Sequence, residues 1–456
     1  MAAKAGEEWG RPSGGWGQRW WNRVCSGSVN GRVLVGAVTV GSWTLVARLA
    51  MMGQDLALAY RFGIGDTLDA FVMASAIPGV TVTVLASALE SAVVPAYIRV
   101  REAGNHDLKQ WIGTLTGWAA LGLATITAVL AMALPQLVAS MAPRFGDEKI
   151  RLTLTLAVAM APMVFLRGLG FAGRALLNAE ERFRTAALAA AIGPLAVLAV
   201  LAAGFGVEAA AWAVVAGAAL EAGWVALSLR RLGMLAAPRW RPIRPLAPLA
   251  GQYVATLGGS MLMAATAVVD QITAARLEPG SVSLLMTAGR IPLVLSAVPA
   301  LALATAAAPR FSRLVSAGDR RLARQTLETY TRWIWRAGVP AVVALVALSP
   351  KLAILVFARG AVQSDQALAM ARVQACYFLQ MPFYVAGVLG ARLLAALMLN
   401  QALVWIAVGG LLAKVILNQL LGWWMGLAGL ALATSLVYLV TWAAIRGTLR
   451  RQRWGE

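Results

Sequence analysis

RFGIGDTLDAFVMASAIPGVTVTVLASALESAVVPAYIR, residues 61–99, decides the class of this chain. Residues 68–97 are apolar over a length that, at about 1.5 Å per helical residue, exceeds the ~30 Å of a bilayer core, so they read as a membrane helix that tilts or bends. Pro78-Gly79 supplies the bend, since proline has no N–H to give and crowds the carbonyl one turn back. Asp69 lies near the start of the stretch and Glu90 well inside. A carboxylate at membrane depth costs about 2.5 to 3.5 kcal/mol on the insertion scale, so each faces a cavity or a partner rather than lipid. Asp69 also suits the N-terminal end of a helix, where the macrodipole favours an acid.

Composition extends this reading to the whole chain. The 456 residues are 60% hydrophobic and 13% charged, with a mean hydropathy of +0.71, which indicates a polytopic α-helical membrane protein. Apolar runs of about 20 residues between basic loops exclude a β-barrel. The net charge of +20 sits mostly in the loops and tails of one side, which places both termini in the cytoplasm. No nucleic-acid module accompanies it. Two cysteines, Cys25 and Cys376, and one histidine, His106, give no disulfide framework, metal site or histidine catalysis.

Residues 1–32 form a Trp/Arg-rich cytoplasmic tail. The first span carries Arg48, Gln54 and Asp55. Arg48 and Asp55 are two turns apart and share a face. A guanidinium there needs an anionic partner, Asp55 or Asp69, or an anionic substrate. Glu221 comes late in the sixth span. Residues 230–248, rich in arginine and proline, divide an N-lobe (33–229) from a C-lobe (249–445), and 446–456 form a basic cytoplasmic tail.

The two lobes read as copies of one another. Residues 77–104 lie on 291–318 without a gap, with Pro78 on Pro292, Pro95 on Pro309, Arg99 on Arg313 and Gly104 on Gly318. One residue of slippage upstream brings Asp55 to Asp270 and Gly65 to Gly280. Matched proline, arginine and glycine indicate an internal duplication. The expected fold is therefore all-α and polytopic, with about twelve transmembrane helices in two six-helix lobes and a substrate cavity between them. Arg290 stands where the first copy has Ala76, so the two walls carry unequal charge. Span ten holds Arg372 and Arg392, and span eleven Lys414 and Asn418. Glu90 and Glu221 are candidate ion or proton sites, with helix-to-helix pairing as the structural reading, and Asp270 is a further ion-coupling candidate.

The pieces ARLAMMGQDLALAYRFGIGDTLDAFVMASAIP, VVPAY, MAPRF, LLNAEERF, GSVSLLMTAGRIP, FARGA and GLALATSL, in that order, resemble the MurJ/MviN family of lipid II flippases. That family belongs to a larger group with polysaccharide flippases and MATE exporters. The resemblance implies a cavity whose arginines grip the pyrophosphate and sugars of an undecaprenyl-linked glycan while its tail stays in lipid, in a bacterial cytoplasmic membrane protein acting as a monomer. It carries substrate contact to Arg48, Asp69 and Arg290, and to Arg392 in span ten. Gln54 replaces a second first-span arginine of the family, and Val82 and Thr83 stand where it has a basic pair. The chain ends after span twelve, whereas the family usually has two further spans. A capsule or exopolysaccharide precursor fits this reduced set as well as lipid II does. Na+ or H+ is the candidate coupling ion and no other cofactor is expected. The rival is a MATE-type cation-coupled multidrug exporter, which calls for a carboxylate-dominated cavity. An enzyme such as a glycosyltransferase has only Asp147-Glu148-Lys149 to offer.

Overall fold

The computed structural model describes residues 29–102, 108–180, 182–240, 261, 262 and 264–452, without the side chains of 29–44, 87, 88 and 90–92. The expected N-terminal tail up to residue 28, His106, the side chain of Glu90, residues 241–248 of the linker and the last four residues lie outside this description. Among the described residues there are helices and no strands, and nine helices are long and apolar enough to cross a membrane.

The N-lobe comprises α1 (Val29–Phe62), α2 (Asp66–Glu102), α3 (Leu108–Met141), α4 (Asp147–Met160), α5 (Pro162–Ala179), α6 (Phe183–Ala202) and α7 (Val207–Arg231). The C-lobe begins with a helix through residues 264–274, α8. It continues through α9 (Ser281–Ala288), α10 (Arg290–Ser316), α11 (Arg320–Phe357), α12 (Ser364–Phe378), α13 (Met381–Ala396) and α14 (Asn400–Arg451). Three crossings carry a turn of one or two residues whose backbone angles stay right-handed helical, where α4 meets α5, α9 meets α10, and α12 meets α13. Pro162 and Pro382 each sit in the first turn of the second half, where a missing N–H costs nothing. By contrast α2 stays helical through both Pro78 and Pro95.

α14 is two crossings in one. Gly426 takes φ 58° and ψ −134°, a conformation open to glycine. The chain doubles back there, because a Cβ on Gly429 would lie 1.9 Å from the Leu421 carbonyl oxygen and one on Gly422 3.2 Å from Leu430 Cδ2. Gly429→Ala is expected to destabilise the hairpin by about 1 to 3 kcal/mol through overpacking, read as a lowered thermal midpoint in detergent. Trp423 and Trp424 are exposed beside the turn, as aromatic residues are at a membrane–water boundary.

Two positions that the sequence puts in register make the same local bond. Arg99 Nε donates to the Pro95 carbonyl at 3.3 Å and Arg313 Nε to the Pro309 carbonyl at 3.4 Å, the same bond at registered positions of both lobes. The registered Gly65 and Gly280 face each other where the lobes meet. Gly280 has φ +84°, and a Cβ on it would stand 3.2 Å from Ile64 and 3.5 Å from the Gly65 nitrogen.

The buried apolar side chains form three clusters, and their distribution defines the shape. One draws on both lobes at this end of the bundle, joining Leu58, Phe71 and Met73 to Val282, Leu285 and Phe357. The second, around Phe311, Leu389 and Ile445, belongs to the C-lobe alone. The third, around Tyr97, Leu177 and Val225, belongs to the N-lobe alone. Among the described residues the lobes therefore share a core at one end, here called the closed end, and have separate cores at the other, which carries the basic loops. Residues 233–240 run along α3, where the Arg239 N–H donates to the Gly113 carbonyl at 2.9 Å.

Candidate functional site

An ion pair joins the lobes below the closed end. Arg290 opens α10, and its Nε lies 2.9 Å from Oδ2 of Asp55 on α1. Asp55 is two turns before the end of α1, a depth of about 10 Å along that helix. The two side chains keep 30% and 20% of their surface exposed. Charges that exposed at membrane depth face a wet space rather than lipid. The Nε–H is not aimed at the carboxylate and makes no hydrogen bond. The pair is therefore a charge contact that leaves the guanidinium fork unspent.

This corrects the expected pairing of Arg48 with Asp55 or Asp69. Both acids are engaged elsewhere, and Arg48 is exposed two turns farther from the closed end. Gln54, next to Asp55, is half-buried. Arg392 is exposed near the far end of α13. It lies about 42 Å of helix from Ser364, whereas Arg290 is only about 14 Å from Ser281. The structure thus joins Arg290 to Asp55, with Arg48 and Arg392 displaced toward the basic end.

Asp69 does a different job. It is 1% exposed and caps α9 of the opposite lobe, its Oδ2 accepting from the Gly280 N–H and its Oδ1 from the Ser283 N–H, both at 2.7 Å. A helix N-terminus offers unpaired N–H groups and positive potential, so a carboxylate fits there. Lys149, at the start of α4, lies 2.8 Å from Asp69 and 2.7 Å from Asp66. Around this latch the lobes are stitched by main-chain acceptors. The Ala361 N–H donates to the Tyr60 carbonyl at 2.9 Å, Gln366 Nε2 to Ile64 at 3.0 Å, and Arg144 Nη1 to Arg276 at 2.6 Å. Gly360, with φ +64°, leaves no room for a Cβ, which would fall 2.4 Å from the Tyr60 carbonyl oxygen.

Two further charge clusters lie within single lobes. In the C-lobe Lys414, 2% exposed, is 2.7 Å from Asp270 and donates to Thr434, while Asn418 donates to Asp270 at 2.9 Å. The candidate ion site at Asp270 is thus occupied by a lysine ammonium. Lys414→Met is expected to cost about 3 to 5 kcal/mol of stability by leaving a buried carboxylate unpaired. Adding Asp270→Asn should recover most of it, as thermal unfolding in detergent would show. In the N-lobe Glu221 pairs with Arg174 at 3.0 Å. Gly170, one turn away on α5, brings the two helices together there, a Cβ on it falling 3.8 Å from Glu221 Cγ. Sequence reasoning missed Lys149 and Arg174. Arg167 and Arg174, seven apart on one helix face, were the signal for the second. Lys149 carried none beyond its charge.

Residues 58–455 match the family model described as lipid II flippase MurJ. The chain is 27% identical over 364 residues to a probable lipid II flippase MurJ of Rhizobium meliloti, covering 76% of this chain and 67% of that one. With the corresponding protein of Thermotoga maritima it shares 25% over 413 residues, covering 87% and 81%. Among solved structures, lipid II flippase MurJ in an inward closed conformation superposes with a TM-score of 0.78 at 20% identity, covering 91% of this chain and 87% of that one. An inward-facing MATE family multidrug transporter superposes with a TM-score of 0.71 at 16% identity, covering 91% and 98%. At such identities the two structures establish a shared fold.

Proposed function

Because this chain belongs to the lipid II flippase MurJ family, we propose that it carries a polyprenyl-pyrophosphate-linked glycan across the bacterial cytoplasmic membrane by alternating access of its two lobes. The observation that carries the reading is the partly exposed Arg290 beside Asp55 at the junction of the lobes. A bare pyrophosphate crossing a core of about 30 Å has no water to replace, so the protein must supply donors, and a guanidinium fork meets phosphate oxygens two at a time. Arg290 has that fork available. Asp55 holds it in place as a charge and yields when a more strongly anionic group arrives.

The basic loops support a cytoplasmic position for the end with separate lobe cores and for both termini. The closed end then faces outward, and the shared apolar core with the Asp69 latch seals it. This is the loading state, closed outside and parted inside. Arg48 and Arg392, nearer the cytoplasmic mouth, meet the anionic headgroup on its way in. The cargo is a lipid-linked diphosphate glycan such as lipid II. The MATE likeness rests on fold alone, and an arginine at the lobe junction selects an anion rather than a cationic drug. Purified protein in liposomes should expose a lipid-linked diphosphate glycan to an enzyme added outside. Vesicles containing folded protein that leave this substrate inaccessible would refute the reading.

A further inference from the structure

Across the outer seam the charges are divided unevenly. Asp69, Asp66 and Lys149 all belong to the N-lobe, whereas the two N–H groups that Asp69 accepts, those of Gly280 and Ser283, belong to the C-lobe. When the lobes part on the outside, Asp69 loses both N–H bonds and keeps Lys149. An open cleft of about 440 Å³ runs along this seam from Asp66 and Phe145 to Leu277 and Glu278, and Lys149 lines it while Asp69 does not. The ammonium thus stands between water in the cleft and the buried carboxylate. It is fixed from three sides, by Asp66, by Asp69 and by the Phe145 ring 3.9 Å away.

We propose that Lys149 is the positioning residue of the outer gate. It neutralises Asp69 while the seam is shut, screens it from the cleft, and keeps it aimed at the α9 N-terminus. The proposal rests on the alternating-access reading above. Its sign follows from where Asp69 is wet. In the shut seam the carboxylate is 1% exposed, so losing its cation is costly, whereas with the seam open water replaces the ammonium. Removal of Lys149 therefore favours the outward-open state. Asp66, mostly exposed, contributes by holding the ammonium and has a smaller effect.

The test uses Ser281→Cys, a buried position at the seam, in the full chain with Cys25 and Cys376 replaced by serine, so that no other cysteine is present. A membrane-impermeant maleimide applied from outside reads opening in the resting protein and needs no cargo, so it is independent of whether the glycan assignment holds. Lys149→Met should speed labelling by about tenfold or more, the loss of a buried counter-ion being worth at least that. Lys149→Arg, which keeps the charge, should label close to the parent rate. Should the methionine variant not accumulate, Lys149→Gln carries the same test, since it can donate an N–H without a charge. A folded Lys149→Met or Lys149→Gln protein that labels at the parent rate, with only its thermal midpoint lowered, would overturn the proposal and leave Lys149 a structural pair.

Discussion

Arg290→Ala should lower transport of a lipid-linked diphosphate at least about hundredfold while the protein still accumulates and remains folded. Two charge-assisted hydrogen bonds to the headgroup are worth about 3 kcal/mol together, and each 1.36 kcal/mol is a factor of ten in rate. The cost to folding is smaller. Asp55 is one-fifth exposed and makes no hydrogen bond to the Arg290 Nε–H, so water takes over much of its charge and about 1 kcal/mol of stability is lost. Arg290→Lys keeps the charge but not the fork and should restore only part of the rate. Transport per folded molecule, measured in liposomes against the thermal midpoint, separates the two effects. Full activity in the alanine variant would remove Arg290 from the cargo path.

Asp69→Ala should act on conformation rather than on cargo. It leaves the Gly280 and Ser283 N–H groups without their acceptor and Lys149 without one of its two carboxylates. Breaking a buried ionic contact of this kind costs about 3 to 5 kcal/mol, and the cost falls on the shut seam, where the contact exists. The ratio of outward-closed to outward-open molecules should therefore drop by about two to four orders of magnitude. Spin labels placed on α2 and α9 at the outer ends would show this as a longer distance population. An unchanged distance distribution would mean that the shared apolar core alone keeps the outside shut.

Much of the architecture could be read from residue order. Proline, arginine and glycine recur in register, and the structure repeats even the Arg99–Pro95 bond at Arg313–Pro309. Charge at membrane depth singled out Asp69 as an acid that needs a partner and offered helix-to-helix pairing for Glu221, and the structure gives each a basic partner. Their partners were the illegible part. Helical periodicity links residues within one helix, and so it offered Arg48 to Asp55, whereas the real partner lies across the lobe junction at Arg290. Asp69 was read as a charge at the N-terminus of its own helix. It also caps a second helix more than two hundred positions away, a contact that no local pattern encodes. Lys149 was read only within Asp147-Glu148-Lys149, because its role depends on the α2–α4 packing that brings it to Asp69.

The central claim is that this chain moves a lipid-linked diphosphate glycan through the space guarded by Arg290. Expression in bacteria whose lipid II flippase can be switched off, with growth followed alongside precursor exposure on the outer face, tests it most directly. The account predicts rescue by the parent chain and none by Arg290→Ala at equal protein level. Rescue by both alike, or no exposure of any diphosphate-linked glycan despite well-folded parent protein, would contradict it.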